Sequence, residues 1–357
     1  MTMGINMQIK AIHLKNFRNH LEKSFSFDPE GSIIIGENGI GKTSLLEAIS
    51  YFTYGKSILN QNDSQLVNHQ GEDFFIKSVF TRDNTDSEFK VYYNRDKIKV
   101  IQKDSLPLKR VSDLYKFLQT VYSGPNDVYN IFTMPHRRRH FIDLAISKLY
   151  PVYIDHVRKY KNILEQRNSL LKTNFNTREK EAWDKVFVEE ASFIVDYRIK
   201  FFKLFTQELN DKYKLIVDDK EKIDISLKLS FNDSDFINKM LKVLPEIFPK
   251  EKKYQKSLIG PHLDDFSISL NSQNAMLFAS QGQRRSIVLG MKLALSQMIS
   301  NLNGVFPILI FDDTLAELDN DRSNRLLQNL SGKHQIFIAS PNADKYKAIA
   351  LSILTLS

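Results

Sequence analysis

Apolar positions fall into three regimes along the chain. Up to about residue 120 they form short runs and alternations. Ile9, Ile12 and Leu14 lead into Asn16-Phe17-Arg18-Asn19, and Ile33-Ile34-Ile35 is a continuous run ending at Gly36. Such a run predicts a strand buried on both faces. Leu45, Leu46, Ile49 and Phe52 then recur at helical spacing. Val91 and Tyr93, the turn residues Asn94-Arg95-Asp96, then Ile98 and Val100 predict a hairpin over 89–101. Residues 138–215 carry almost no Gly or Pro and predict long helices. No heptad is sustained there, which excludes a long coiled coil. Alternation returns at Ile223, Ile225, Leu227, Leu229 and Phe231, and at Phe266, Ile268 and Leu270. Ile287, Gly290, Met291, Ala294 and Met298 predict a helix over 284–300. Ile308-Leu309-Ile310-Phe311 and Ile336-Phe337-Ile338 predict two more buried strands. No polar linker separates the ends, so the fold class is α/β: a core of 1–120 plus 258–357, with 121–257 inserted as a mainly helical lobe.

Hydrophobic residues make up 42% of the 357, enough to bury a core and exclude wholesale disorder. The net charge of +8 favours a polyanionic partner. The absence of Cys excludes disulfides, thiolate metal sites and cysteine nucleophiles. No apolar run approaches the roughly 18 residues of a membrane span, and the N-terminus lacks a signal peptide's apolar stretch. A cytoplasmic protein with no membrane partner is expected. The His residues form no ligand pattern, and His136 and His140 flank Arg137, Arg138 and Arg139, which repel a cation. Trp183 and the 25 Phe read as core.

One motif changes the picture. Gly36-Glu37-Asn38-Gly39-Ile40-Gly41-Lys42-Thr43 fits G-x-x-x-x-G-K-[ST] between a predicted strand and a predicted helix. A phosphate chain needs converging backbone N–H donors. Glycines let a loop wrap it, and the following helix adds the positive end of its dipole. Lys42 would reach the β- and γ-phosphates of ATP, and Thr43 would offer its hydroxyl to Mg2+. Asp312, at the end of a buried run, would hold Mg2+ opposite Thr43, and Asp313 would act as general base toward the attacking water. Thr43 and Asp312 are about 270 residues apart, too far for a compact GTPase core. Ser280-Gln281-Gly282-Gln283 precedes the 284–300 helix, where a hydroxyl, a side-chain-free approach and a helix dipole favour an anion.

The order of these motifs resembles the ABC-type ATPase heads related to SMC proteins and, within them, the RecF family of bacterial DNA replication and repair proteins. The likeness extends from about residue 8 to 345. It includes Leu14-Lys15-Asn16-Phe17-Arg18-Asn19-His20, Pro135 with Arg138-Arg139 and Phe141-Ile142-Asp143, and Tyr160 with Gln166-Arg167-Asn168. Gly260-Pro261-His262 with Asp264-Asp265, and Glu317-Leu318-Asp319, complete it. Leu263, Asn126, the Arg-free stretch 57–64 and Ser340-Pro341 depart from the family pattern. The first two put local salt bridges in doubt, the third a DNA contact and the last a γ-phosphate-sensing switch. The resemblance implies an ATP-dependent homodimer on double-stranded or gapped DNA, acting with RecO and RecR to place RecA. It implies that Arg18 and Ser44 join the ATP site, that Ser280 to Gln283 meet ATP held by the partner copy, and that Glu317 and Asp319 form a D-loop crossing the dimer.

A DNA surface is read at the start of the lobe, where nine Lys/Arg face three Asp/Glu between Arg137 and Lys172. Arg137, Arg138, Arg139, Lys148, Arg158 and Lys159 are its candidates, and no base-reading motif accompanies them. Two alternatives stay open: the head of a defence or toxin ATPase system, and an ATP-switched DNA-binding module without turnover.

Overall fold

The computed structural model describes residues 7–59, 61–173, 177–217, 221–316, 318–346 and 351–356. It divides into two compact units, Met1–Val128 with Asp211–Lys220 and Ser280–Ser357, and Tyr129–Asn210 with Glu221–Ala279.

The first unit contains two sheets. One is parallel, in the order Ser352–Thr355, Gly31–Ile35, Ile336–Ala339, Ile308–Asp312, Thr120–Ser123. The other is antiparallel, in the order His20–Ser26, Met7–Phe17, Asp73–Arg82, Thr85–Asn94, Lys99–Lys103, Leu106–Pro107. The helix Lys42–Tyr54 shares one apolar core with residues of both sheets. That explains why every residue from Leu45 to Thr53 is buried, where the sequence periodicity suggests a single apolar face. Its polar groups are satisfied locally: Ser50 donates to the Leu46 carbonyl at 2.8 Å, and Glu47 accepts from Arg18 and Ser57.

The unequal spacing of Ile9, Ile12 and Leu14 also has a local cause. The register of Met7–Phe17 against Asp73–Arg82 shifts between Ile9 and Ala11. A bulge there turns both Ile9 and Ile12 inward.

The second unit contains the helices Pro135–Leu149, Val152–Leu170 and Phe236–Tyr254, most of Thr177–Lys214, and a small antiparallel sheet. Two expected boundaries move. Thr120–Ser123 pairs with Ile308–Asp312, so the chain stays in the first unit to Val128. Asp265–Leu270 pairs with Ile223–Lys228, so 258–279 belongs with the second unit instead of the core. The helix Phe236–Tyr254 runs through Pro245 and Pro249. Proline normally breaks a helix, yet Phe236, Met240, Leu244 and Ile247 recur at helical spacing here. No described helix is long and apolar enough to cross a membrane.

Buried ion pairs tie the second unit together. Arg167 reaches Asp184 at 2.8 Å and Glu251 at 2.6 Å, and donates to the Ser257 hydroxyl at 2.7 Å. Arg198 reaches Asp143 at 2.9 Å and Asp264 at 2.7 Å, and donates to the Pro261 carbonyl at 2.7 Å. Leu263, which takes the place of the family's Arg, is 46% exposed. Arg198 supplies a cation beside Asp264.

Removing one member of a buried pair strands its partner, typically at a cost of about 3–5 kcal/mol. Arg167→Ala, which leaves the fully buried Glu251 without its cation, should lose about that much in urea unfolding. Trp183 adjoins Asp184 and is half-buried, so its fluorescence reports on this unit. An unchanged midpoint would show that the pair adds nothing to the fold.

Candidate functional site

The loop Gly36–Gly41 leaves the carboxyl end of Gly31–Ile35 and enters the helix Lys42–Tyr54. Carboxyl ends of parallel strands are where open α/β sheets hold ligands. Gly41 has φ 117°, and a Cβ there would lie 2.7 Å from the His20 ring. His20 donates through Nε2 to the Gly41 carbonyl at 3.2 Å, and Asn19 donates to the Gly39 carbonyl at 3.0 Å. Burial holds the His20 imidazole below its usual pKa, so the ring is neutral at pH 7. The turn Asn19-His20 thus braces the loop from one side.

The Lys42 ammonium folds back into the loop and donates to the carbonyls of Gly36 at 2.7 Å and Glu37 at 3.0 Å. Thr43 donates to Asp312 Oδ1 at 3.1 Å across 269 residues of sequence. Tyr122 donates to Asp312 Oδ2 at 2.8 Å. Burial raises the Asp312 pKa, the hydrogen bonds from Tyr122 and Thr43 oppose that, and neighbouring Asp313 adds to it. Asp312 forms no ion pair among the described residues.

Asp313 is exposed, adopts φ 56° and donates its N–H to the Ala339 carbonyl at 3.2 Å. It lines a cleft of about 630 Å³ with Asn38, Gly39, Gly41, Lys42, Thr43 and Ser44. Arg18, Asn19 and the stretch Asn68-His69-Gln70 form another part of the wall. Arg18 is itself committed: its Nε and Nη2 lie 2.6 and 2.5 Å from Glu47 Oε2. The sequence therefore brings together Arg18, the loop, Lys42, Thr43, Ser44, Asp312 and Asp313. The cleft wall at 68–70 carries no motif and escapes a reading based on motifs.

Ser280 caps the helix Gln281–Asn303. Its Oγ accepts from the Gln283 N–H at 3.3 Å, and Gln283 Oε1 accepts from the Ser280 N–H at 2.9 Å. A Cβ on Gly282 would meet nothing within 4 Å. Ser280, Gln281 and Gly282 are exposed, and none of Ser280 to Gln283 is among the described residues lining the cleft. Asp319 caps the helix Asn320–Leu330 by accepting from the Arg322 N–H at 2.8 Å. Glu317 lies outside the described residues. Lys345, unsuspected from sequence, donates to the carbonyls of Leu315, Ala316 and Leu318 and so ties those three residues to its own segment. At the departing position Ser340, the hydroxyl donates to the Asn342 carbonyl at 2.9 Å.

The six basic residues of the lobe separate into two kinds. Arg138 is buried in a two-pronged pair with Asp265 at 2.7 and 2.6 Å, and Lys148 is 2% exposed. Those two are corrected from DNA candidates to interior residues, because their cations do not reach the surface. Arg139 is partly buried and donates to the Asp264 carbonyl at 3.0 Å. Arg137 is half-buried. Arg158 and Lys159 are exposed, near Asp155 at 3.1 Å and Glu190 at 3.8 Å respectively.

Comparison with known proteins gives this arrangement a family. A family model described as an AAA domain matches residues 11–275. The DNA replication and repair protein RecF of Lachnoclostridium phytofermentans is 32% identical over 330 residues, 91% of each chain. That of Heliobacterium modesticaldum is 33% identical over 343 residues, 94% of this chain and 92% of the relative.

The chain belongs to the RecF family.

A solved structure described as the recombination mediator protein RecF with ATPrS in the RecFOR pathway aligns with a TM-score of 0.90 at 26% identity. It covers 100% of this chain and 98% of that one. A RecF-ATP structure aligns at 0.88 and 28% identity, over 96% and 94%. The Smc head domain from Pyrococcus furiosus aligns at 0.56 and 14% identity, over 98% and 93%, and shares the fold. The α/β ATPase-head fold of this RecF-family chain is therefore that of the SMC-like heads.

The raised pKa of Asp312 has a sign for stability. An acid whose folded pKa lies above its unfolded value favours the folded state at low pH, and that contribution is lost as pH rises through the folded pKa. Asp312→Asn should therefore raise the melting temperature of the nucleotide-free chain at pH 7. The gain should shrink toward pH 4. A melting series in which the Asn variant is less stable at pH 7 would contradict a dominant role for burial.

Proposed function

We propose that this RecF-family chain is an ATP-switched, DNA-binding homodimer of replication and recombinational repair, with slow ATPase turnover. The observation that carries the nucleotide site is the contact of Thr43 with Asp312 beside a glycine loop of phosphate-binding pattern. The ATP and ATPrS in the descriptions of its structural relatives support it. The loop N–H groups and Lys42 would hold the phosphates, after Lys42 exchanges the Gly36 and Glu37 carbonyls for them. Thr43 and Asp312 offer a hydroxyl and a carboxylate oxygen, the hard donors that Mg2+ takes, and Asp312 forms no ion pair among the described residues. Mg2+, when bound, would neutralise charge on the phosphates. Asp313 would accept the proton of the attacking water. It is a methylene shorter than Glu, which fits slow turnover.

Ser280 to Gln283 present a helix N-terminus outside their own chain's cleft. A two-fold dimer would bring that turn to the partner's nucleotide. ATP bridging both surfaces would stabilise the closed dimer alone. By family likeness the closed dimer would sit on double-stranded or gapped DNA and act with RecO and RecR to place RecA, in the cytoplasm at the nucleoid. Arg137, Arg158 and Lys159 are the lobe residues left to meet phosphates.

Sedimentation mass with ATP, with ADP and without nucleotide tests the switch. ATP alone should convert monomer to dimer, and Ser280→Arg should block it. A mass that never changes, or a Ser280→Arg chain that still dimerises, would show the nucleotide to be read within one chain. For DNA, each cation removed from a backbone phosphate should flatten the slope of log affinity against log salt by about 1. Arg158→Ala with Lys159→Ala should reduce it by up to about 2. An unchanged slope would place the DNA surface elsewhere.

A further inference from the structure

We propose that Tyr122 is a positioning residue for the Asp312 carboxylate, and that Gly124 is the residue that lets it reach. The inference rests on the Mg2+-nucleotide reading of the site. Tyr122 lies in Thr120–Ser123, directly beside Ile308–Asp312 in the parallel sheet. Tyr122 is 7% exposed and Asp312 is 2% exposed, so no bulk water competes for the bond between them. A carboxylate at a strand end can rotate. Here Oδ2 is fixed by the Tyr122 hydroxyl at 2.8 Å, and Oδ1 faces Thr43 at 3.1 Å. One oxygen is thus tied to the scaffold and the other is presented at the loop.

The Tyr122 side chain folds back over its own strand exit to do this. A Cβ on Gly124 would stand 2.3 Å from the Tyr122 hydroxyl oxygen and 2.5 Å from Cε1. No other residue type fits there without moving the phenol. The same glycine donates its N–H to Asp127 Oδ2 at 2.8 Å, and Asp127 Oδ1 accepts from Lys292 at 3.0 Å. Lys292 belongs to the helix that Ser280 caps. Hydrogen bonds thus join Tyr122 to Asp312, and separately join the Gly124 turn to that helix. Hydrogen bonds that orient a metal-binding carboxylate typically change metal affinity by about 10–100-fold.

The test is binding of a fluorescent, non-hydrolysable ATP analogue to the full chain across a range of free Mg2+ and in EDTA. Tyr122→Phe keeps the ring and removes only the hydroxyl. It should need about tenfold more Mg2+ for half-maximal binding, with affinity in EDTA unchanged. Gly124→Ala should give the same shift, and the double variant no more than either alone, because both act through one hydroxyl. An unchanged Mg2+ requirement in Tyr122→Phe overturns the proposal. So does an equal weakening in EDTA, which would mean that the phenol supports the loop and not the carboxylate. A wild-type chain that binds no analogue at any Mg2+ would instead overturn the nucleotide reading, and this inference with it.

Discussion

A helix buried on every side can offer only its ends to solvent, and the helix Lys42–Tyr54 is in that position. Leu45, Leu46, Ile49 and Phe52 share a core with Ile12 and Phe17 of the antiparallel sheet and with Ile308, Ile310 and Phe337 of the parallel one. Side-chain chemistry along its length is therefore confined to local pairs such as Arg18 with Glu47. Its first turn, where backbone N–H groups have no intrahelical partner, is left at the carboxyl edge of the sheet. The glycine loop, the brace from His20 and Asn19, and the meeting of Thr43 with Asp312 all depend on where that end is held.

Much of this was legible from residues alone. Continuous apolar runs such as Ile33–Ile35 and Ile308–Phe311 announce strands covered on both faces, and the hairpin turn at Asn94-Arg95-Asp96 announces itself by composition. The parts that were not legible have physical reasons. The prolines at 245 and 249 argue locally against a helix, while burial of Met240 and Leu244 and the pairing of Glu251 argue for one across the unit. Local propensity loses when tertiary contacts are strong. Thr120–Ser123 is too short to show a period, and its place in the parallel sheet is decided by a partner about 190 residues away. Tyr122 and Lys345 matter because of what the fold lays beside them, and no spacing along the chain encodes that.

The basic and acidic motifs of the second unit carry a different lesson. Arg138, Asp143, Tyr160, Arg167, His262, Asp264 and Asp265 lie in stretches that resemble family motifs, and Arg138 reads from sequence as a DNA contact. In the fold they satisfy one another: Arg138 with Asp265, Arg198 with Asp143 and Asp264, Tyr160 with His262 at 2.7 Å. A lone guanidinium or carboxylate cannot be buried cheaply, so an interior built with one must recruit the other and complete the hydrogen bonds of both. A cluster of charged residue types is thus as characteristic of a polar interior as of a binding face. Exposure separates the two, and it leaves Arg158 and Lys159 outside.

Asp312 joins both themes. Its burial works against the charged form, and the fold answers with two hydroxyl donors and the nearby charge of Lys42, with no ion pair among the described residues. Hydroxyls stabilise a carboxylate without neutralising it, so the negative charge and the orientation of Oδ1 survive together. An ion pair in the same place would have made a poorer site for a divalent cation. The polar interior of the second unit is completed by its own residues. Asp312 is left without an ion pair among the described residues, and an incoming metal and its phosphates are the chemistry that would complete the site.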